Sequence, residues 1–137
     1  MNGTSEIVYT GSLTTFAKCG SNPSSNQSIV VSGCNLSNDI SISAPSGFEL
    51  STNASTGFVN SLTLTQSGGT VASTTIYIRM SASASGSPSG NISLTSTGAN
   101  PIDIAVTVYP SPTSPTAATT INYCLGATAS ALTATVT

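Results

Sequence analysis

Histidine and tryptophan are absent from this chain of 137 residues, and charge nearly is: two basic and four acidic residues, 4% of the total. An ordinary soluble domain carries roughly 25%. Each absence excludes something. Without histidine, a hydrolytic triad lacks its base and a zinc site lacks its commonest nitrogen ligand. Lys18 and Arg79 are the only bases, so no basic stripe exists to meet phosphates or an anionic bilayer; neither nucleic acid nor membrane insertion is expected. The acids Glu6, Asp39, Glu49 and Asp103 lie far apart, and none stands in a D-x-D calcium loop. No metal and no cofactor is expected, and no enzyme. No apolar run is long enough to span a bilayer as a helix, and no basic n-region with an apolar h-region opens the chain. Met1 without such a leader reads as an excised fragment or as a mature segment with a start residue added.

What is present is alternation. DISISAPSGFELSTN, SLTLTQSGGTVASTTIYIRM and GNISLTSTGANPIDIAVTVY each alternate a branched or aromatic residue with Ser, Thr or Asn. Successive side chains of a strand leave opposite faces of a sheet, so this period of two is that of a half-buried strand. Strands are expected at Glu6–Tyr9, Leu13–Phe16, Gln27–Ser32, Asp39–Ala44, Phe48–Ser51, Ser61–Gln66, Thr74–Met80, Gly90–Ser96 and Ile102–Tyr109. Turns with Gly or Pro separate many of them. Short strands at roughly 8–12-residue spacing predict an all-β protein: an Ig-like, Greek-key antiparallel β-sandwich over residues 1–109. The expected core is Ile29, Val31, Ile40, Ile42, Phe48, Leu50, Leu62, Leu64, Ile76, Ile78, Met80, Ile92, Leu94, Ile102, Ile104, Val106 and Val108, with Tyr77 and Arg79 facing out. The outer face is coated with hydroxyls and amides, which keep it wet without charge. Disorder is excluded, because 38% of the residues are hydrophobic.

Three cysteines make an odd count. Cys19 and Cys34 flank a turn-rich stretch and a strand, and a disulfide between them is expected, against two independent buried thiols. A closure of that size contributes about 3 kcal/mol in the loop-entropy picture. Cys124 has no mate in view within the chain.

Residues 110–120, PSPTSPTAATT, hold three prolines at short intervals and predict a semi-rigid linker. After it, residues 121–137 resume apolar alternation. They predict a C-terminal extended strand segment that begins a second Ig-like domain or serves as a donor strand. Ile121, Tyr123, Leu125, Leu132, Ala134 and Val136 would make that contact between domains or subunits, since one or two strands cannot bury their apolar face alone.

The runs NLSNDISISAPSGFELSTN, GFVNSLTLTQSGGTVASTTIYIRM and GSPSGNISLTSTGAN occur in that order. Together with the lead-in TGSLTTFAKCGSNPSSNQSIVVSG, they closely resemble a β-sandwich repeat of very large secreted surface proteins of Bacteroidota. The likeness covers about Glu6 to Tyr109. INYCLGATASALTATV resembles the opening of an Ig-like module that often follows in such proteins, whose opening cysteine usually has a mate near the module's end. The resemblance implies an extracellular, cell-surface location, export by the type IX route, and a role in attachment or gliding. The Cys19/Cys34 pair is not general in that repeat, and no type IX sorting domain is present.

Several residues invite a sharper chemical reading and are better explained plainly. Glu49 beside Phe48 reads as a charge that discourages pairing at a strand edge, rather than as a general base. Asp39 opens a strand and is expected to satisfy turn amides. Lys18 reads as a solvated lysine rather than one member of an isopeptide bond. Tyr77 and Arg79 read as exposed strand residues rather than a sugar platform, and the spaced threonines as strand formers rather than an ice-binding face. The expectation is therefore a non-enzymatic structural repeat of an adhesin or filament, a stalk or spacer whose partners are neighbouring repeats or identical subunits. Two alternatives stand beside it. One is a self-polymerising subunit whose residues 121–137 complete the next subunit's sheet. The other is a glycan-binding module that takes a surface polysaccharide through Tyr77, Tyr9 or Phe58.

Overall fold

A computed structural model describes residues 3–109. The linker 110–120 and the segment 121–137, with Ile121, Tyr123, Leu125, Leu132, Ala134 and Val136, lie outside the described residues. Eight strands form: β1 (Glu6–Thr10), β2 (Gln27–Cys34), β3 (Ile40–Ser43), β4 (Phe48–Ser51), β5 (Ser61–Leu64), β6 (Val71–Met80), β7 (Gly90–Thr95) and β8 (Ile102–Val106). They build two antiparallel sheets of four strands, in the orders β1-β2-β6-β4 and β5-β3-β7-β8.

Alternation is what makes these segments strands. In β3, Ile40 and Ile42 are fully buried while Ser41 and Ser43 face water. The same inward rhythm runs through Ile76, Ile78 and Met80 of β6 and through Ile92 and Leu94 of β7. The two inner faces merge into a single core cluster. Connections β2–β3 and β6–β7 both cross between the sheets, while β2 pairs with β6 and β3 with β7. That interlocked crossing is the Greek-key arrangement of Ig-like sandwiches.

The segment Leu13–Phe16 departs from the expectation, because it is no strand. Gly11, with φ of 105°, turns the chain after β1. A side chain there would press on the Ser28 carbonyl and the Ile29 backbone, and positive φ disfavours any L residue. The chain then crosses to the other sheet, where Phe16 forms an isolated parallel bridge to Val108. The Phe16 N–H donates to the Thr107 carbonyl at 2.8 Å, and the Tyr109 N–H to the Phe16 carbonyl at 2.9 Å. Phe16 is buried edge-to-face against Phe48, with ring centroids 5.2 Å apart.

The core differs from the expected set at its rim. Ile7, Phe16, Leu36 and Val71 join it, while Leu62, Ile102 and Val108 are only partly covered. Leu62 and Ile102 lie on β5 and β8, the outermost strands of their sheet, where one flank stays open.

The ladders fix two poles. Glu6 pairs with Cys34 and Gly33 with Val71 at one end. Gln27 pairs with Ile78 and Phe48 with Met80 at the other. The chain enters at the first pole, where Ser5 Oγ donates to the Asn35 carbonyl at 2.7 Å. It leaves at the second, where Tyr109 and Met80 line one cleft. Entry and exit are therefore separated by the length of β6, about 30 Å at the usual rise per residue.

Candidate functional site

The expected disulfide is not formed. Cys19 and Cys34 are both exposed free thiols, and the fold explains why. Cys34 ends β2 at the entry pole, opposite Glu6. Cys19 lines the exit-pole cleft with Met80 and Tyr109. The two poles are about 30 Å apart, whereas a disulfide needs its Cα atoms within roughly 7 Å. Short sequence spacing misled here, because β2 carries the chain from one pole to the other between them.

The exit-pole cleft is a hollow of about 310 Å³ lined by Lys18, Cys19, Met80, Gly86, Val108 and Tyr109, among others. Lys18 is not a freely solvated lysine. Its Nζ donates to the carbonyls of Ala82 and Ala84, at 2.6 Å each, and so ties the segment after Phe16 to the loop after β6. Two carbonyls occupy the ammonium, and no Asp or Glu stands among its hydrogen-bond partners.

At the opposite pole, a shallow hollow of about 630 Å³ is lined by Ser37, Asn38, Asp39, Gln66, Ser96 and Thr97, with two further residues. Its single carboxylate, Asp39, accepts the Gln66 N–H at 2.9 Å across the β3–β5 end. The amide that Asp39 satisfies is thus 27 residues away rather than in its own turn. Hydroxyls, amides and one engaged carboxylate make a wet, polar surface. Asp103 is likewise engaged, by the Ser93 hydroxyl across the β7–β8 pair.

The outer face of the first sheet carries the remaining residues of interest. Glu49 and Arg79 stand opposite each other on β4 and β6, and Arg79 Nε donates to Glu49 Oε1 at 2.7 Å. The guanidinium also lies over the Phe58 ring, 3.6 Å from its centroid. The sequence gives no periodic signal for this stack, since Phe58 sits in the loop between β4 and β5. Both faces of the chemistry are used internally: the charge by Glu49, the ring by Arg79. Tyr77 lies two residues from Arg79 on the same face, whereas Tyr9 sits on the edge strand β1, so the three aromatics do not form one platform.

Among the described residues, no group of three His, Cys, Asp or Glu side chains is placed to hold a metal ion. Among the same residues no helix is long and apolar enough to cross a membrane. The notable surfaces are the two poles, each with an exposed thiol near where the chain enters or leaves the sandwich. No family model, no curated protein and no solved structure matches this chain.

Proposed function

We propose that this chain is a non-enzymatic structural module of an extracellular surface adhesin or filament, a spacer that holds and separates its neighbours. One observation carries the reading: the chain enters the sandwich at one pole and leaves at the other. Modules joined in series would lie end to end, and each would add about 30 Å of length. The resemblance to β-sandwich repeats of Bacteroidota surface proteins supports the same reading. So does a surface of hydroxyls and amides with few charges for salt to screen.

The bonds around Phe16 supply the mechanical element. Tension from the entry pole reaches Phe16 through β1, while tension from the exit pole reaches Tyr109 directly. Phe16 and Tyr109 are joined by the short parallel patch of two backbone hydrogen bonds. Pulling the chain ends apart shears that patch along its length, so its bonds share the load instead of opening one by one. The sheet beyond stays shielded until the patch yields.

Single-molecule pulling on the full chain tests this. Tyr109→Pro removes the N–H that reaches the Phe16 carbonyl, and it should lower the unfolding force while leaving the strand content intact. An unchanged force would overturn the reading. The strand-donation alternative has less support, because the two four-stranded sheets already share one core among the described residues. A glycan-binding role has less as well, since Phe58 and Arg79 are already engaged with each other.

A further inference from the structure

Cys19 and Cys34 cannot reach each other within one sandwich, yet their placement is complementary between two. Cys34 is exposed at the entry pole, paired across the ladder with Glu6, close to where the chain comes in. Cys19 is exposed at the exit pole, in the cleft that Tyr109 lines, where the chain goes out. When two copies stack end to end, the exit pole of one meets the entry pole of the next, and each contributes one thiol to that junction. We propose that the sandwich forms such head-to-tail stacks with a second copy, locked by a disulfide between Cys19 of one copy and Cys34 of the other.

Such a contact is heterologous: a patch meets a different patch, so it repeats into an open row instead of closing on a dimer. Two features favour this partner. The exit pole offers a hollow of about 310 Å³ bordered by the partly buried Val108 and the exposed Tyr109, while the entry pole offers a firm rim. That rim is made by Asn35, which holds positive φ, accepts from Ser5 Oγ and donates to the Thr4 carbonyl. Both thiols lie outside the core, so bonding them requires no repacking.

The chemistry balances with a small-molecule disulfide as oxidant. The Cys19 thiolate attacks it, forming a mixed disulfide and expelling one small thiol. The Cys34 thiolate of the second copy then attacks the Cys19 sulfur and expels the other. Two protein thiols lose two electrons and two protons, and the oxidant becomes two thiols. Such exchange belongs to an oxidising compartment, so the inference rests on the extracellular spacer reading.

The test uses the full chain with Cys124→Ser, so that two thiols remain, incubated with oxidised glutathione. The disulfide-linked peptides are then mapped by mass spectrometry. Random collision would give mixed Cys19–Cys34 links only about as often as both symmetric links together. Stacking raises the effective concentration of the mixed pair, so an excess of about tenfold and a ladder of multimers on a non-reducing gel are expected. Adding Cys19→Ser or Cys34→Ser should stop the ladder. Symmetric links at parity, no protein–protein link, or a Cys19–Cys124 link dominating in the unsubstituted chain would each overturn the proposal. The pulling experiment is run on reduced monomer, so failure of the spacer reading is registered separately from failure of the crosslink.

Discussion

The side chain of Gln27 replaces a strand partner for Thr14. Its Oε1 accepts the Thr14 N–H at 2.6 Å, and its Nε2 donates to the Thr14 carbonyl at 3.0 Å. One primary amide thus reproduces both hydrogen bonds that a neighbouring strand would have made. The arrangement holds the chain where Gly11 has turned it out of the first sheet, on its way to the bridge at Phe16 and Val108. A side chain is doing there what the ladder does elsewhere.

Gln27→Ala should therefore loosen this segment locally. With the Thr14 hydroxyl also donating to Oε1 at 3.1 Å, three hydrogen bonds at a half-exposed site are lost, about 1–3 kcal/mol of stability. Amide exchange should quicken at Thr14 and Phe16, while the Ile29 amide in β2 keeps its protection. Unaltered exchange at Thr14 would show that the amide bridge holds nothing.

Phe16 predicts a larger effect than its position outside the strands suggests. It is only 1% exposed and packs edge-to-face on Phe48, itself one of the largest core side chains. Phe16→Ala should cost about 3–5 kcal/mol in urea unfolding, as for other large-to-small core changes. Leu13→Ala, three residues earlier and only partly covered, should cost clearly less. Equal losses at the two positions would mean that Phe16 is not a core residue.

The contrast between those two residues shows how much of the fold the sequence disclosed. Strands such as Phe48–Ser51 are legible because alternation is a property of the segment itself, and β4 has those bounds. Leu13–Phe16 has strand-forming threonines between apolar ends, but Gly11 turns it away from the ladder, and a glycine's φ is not written in the letters around it. Arg79 opposite Glu49 depends on the β4–β6 register, and the Arg79–Phe58 stack on a loop folding back. The cysteines misled for the same reason. Spacing along the chain looked like a closed loop until β2 proved to run from pole to pole. No local pattern could show that entry and exit lie at opposite ends, which is the fact on which the functional reading depends.

Gly33 should tolerate no side chain. A Cβ at this position would lie 2.6 Å from Leu36 Cδ1, 3.1 Å from Ile40 Cδ1 and 3.2 Å from the Glu6 carbonyl oxygen. Leu36 could swing aside, but Ile40 is fully buried and Glu6 belongs to the paired strand. The register also shifts between Val31 and Gly33, so the backbone is already adjusted to this closeness. Gly33→Ala should destabilise by about 1–3 kcal/mol, the usual cost of overpacking. Gly68→Ala offers the comparison: with nothing within 4 Å, only its positive φ matters, and a loss of about 1–2 kcal/mol from backbone strain alone is expected. Thermal melts of the pair, with near-ultraviolet spectra to report core packing, separate the two causes. Spectra disturbed by Gly68→Ala but not by Gly33→Ala would contradict this assignment.

Stability should be almost indifferent to salt. Glu49 and Arg79 form an ion pair whose side chains are 17% and 24% exposed, and surface pairs of this kind contribute about 0–1 kcal/mol. Screening at 1 M salt, where the Debye length is about 3 Å, acts on that contribution alone. It does not reach the hydrogen bonds of the ladders or the apolar core. The melting temperature should thus move by no more than Glu49→Gln moves it. The stack of Arg79 on Phe58 behaves differently, because its contact area survives screening: Phe58→Ala should remove about 0.5–1 kcal/mol at low and high salt alike. A double-mutant cycle of Glu49→Gln with Phe58→Ala, measured at both ionic strengths, distinguishes charge from packing around the same guanidinium. A strong fall in stability with salt in the unsubstituted chain would mean that electrostatics hold this sandwich together more than its sparse charges allow.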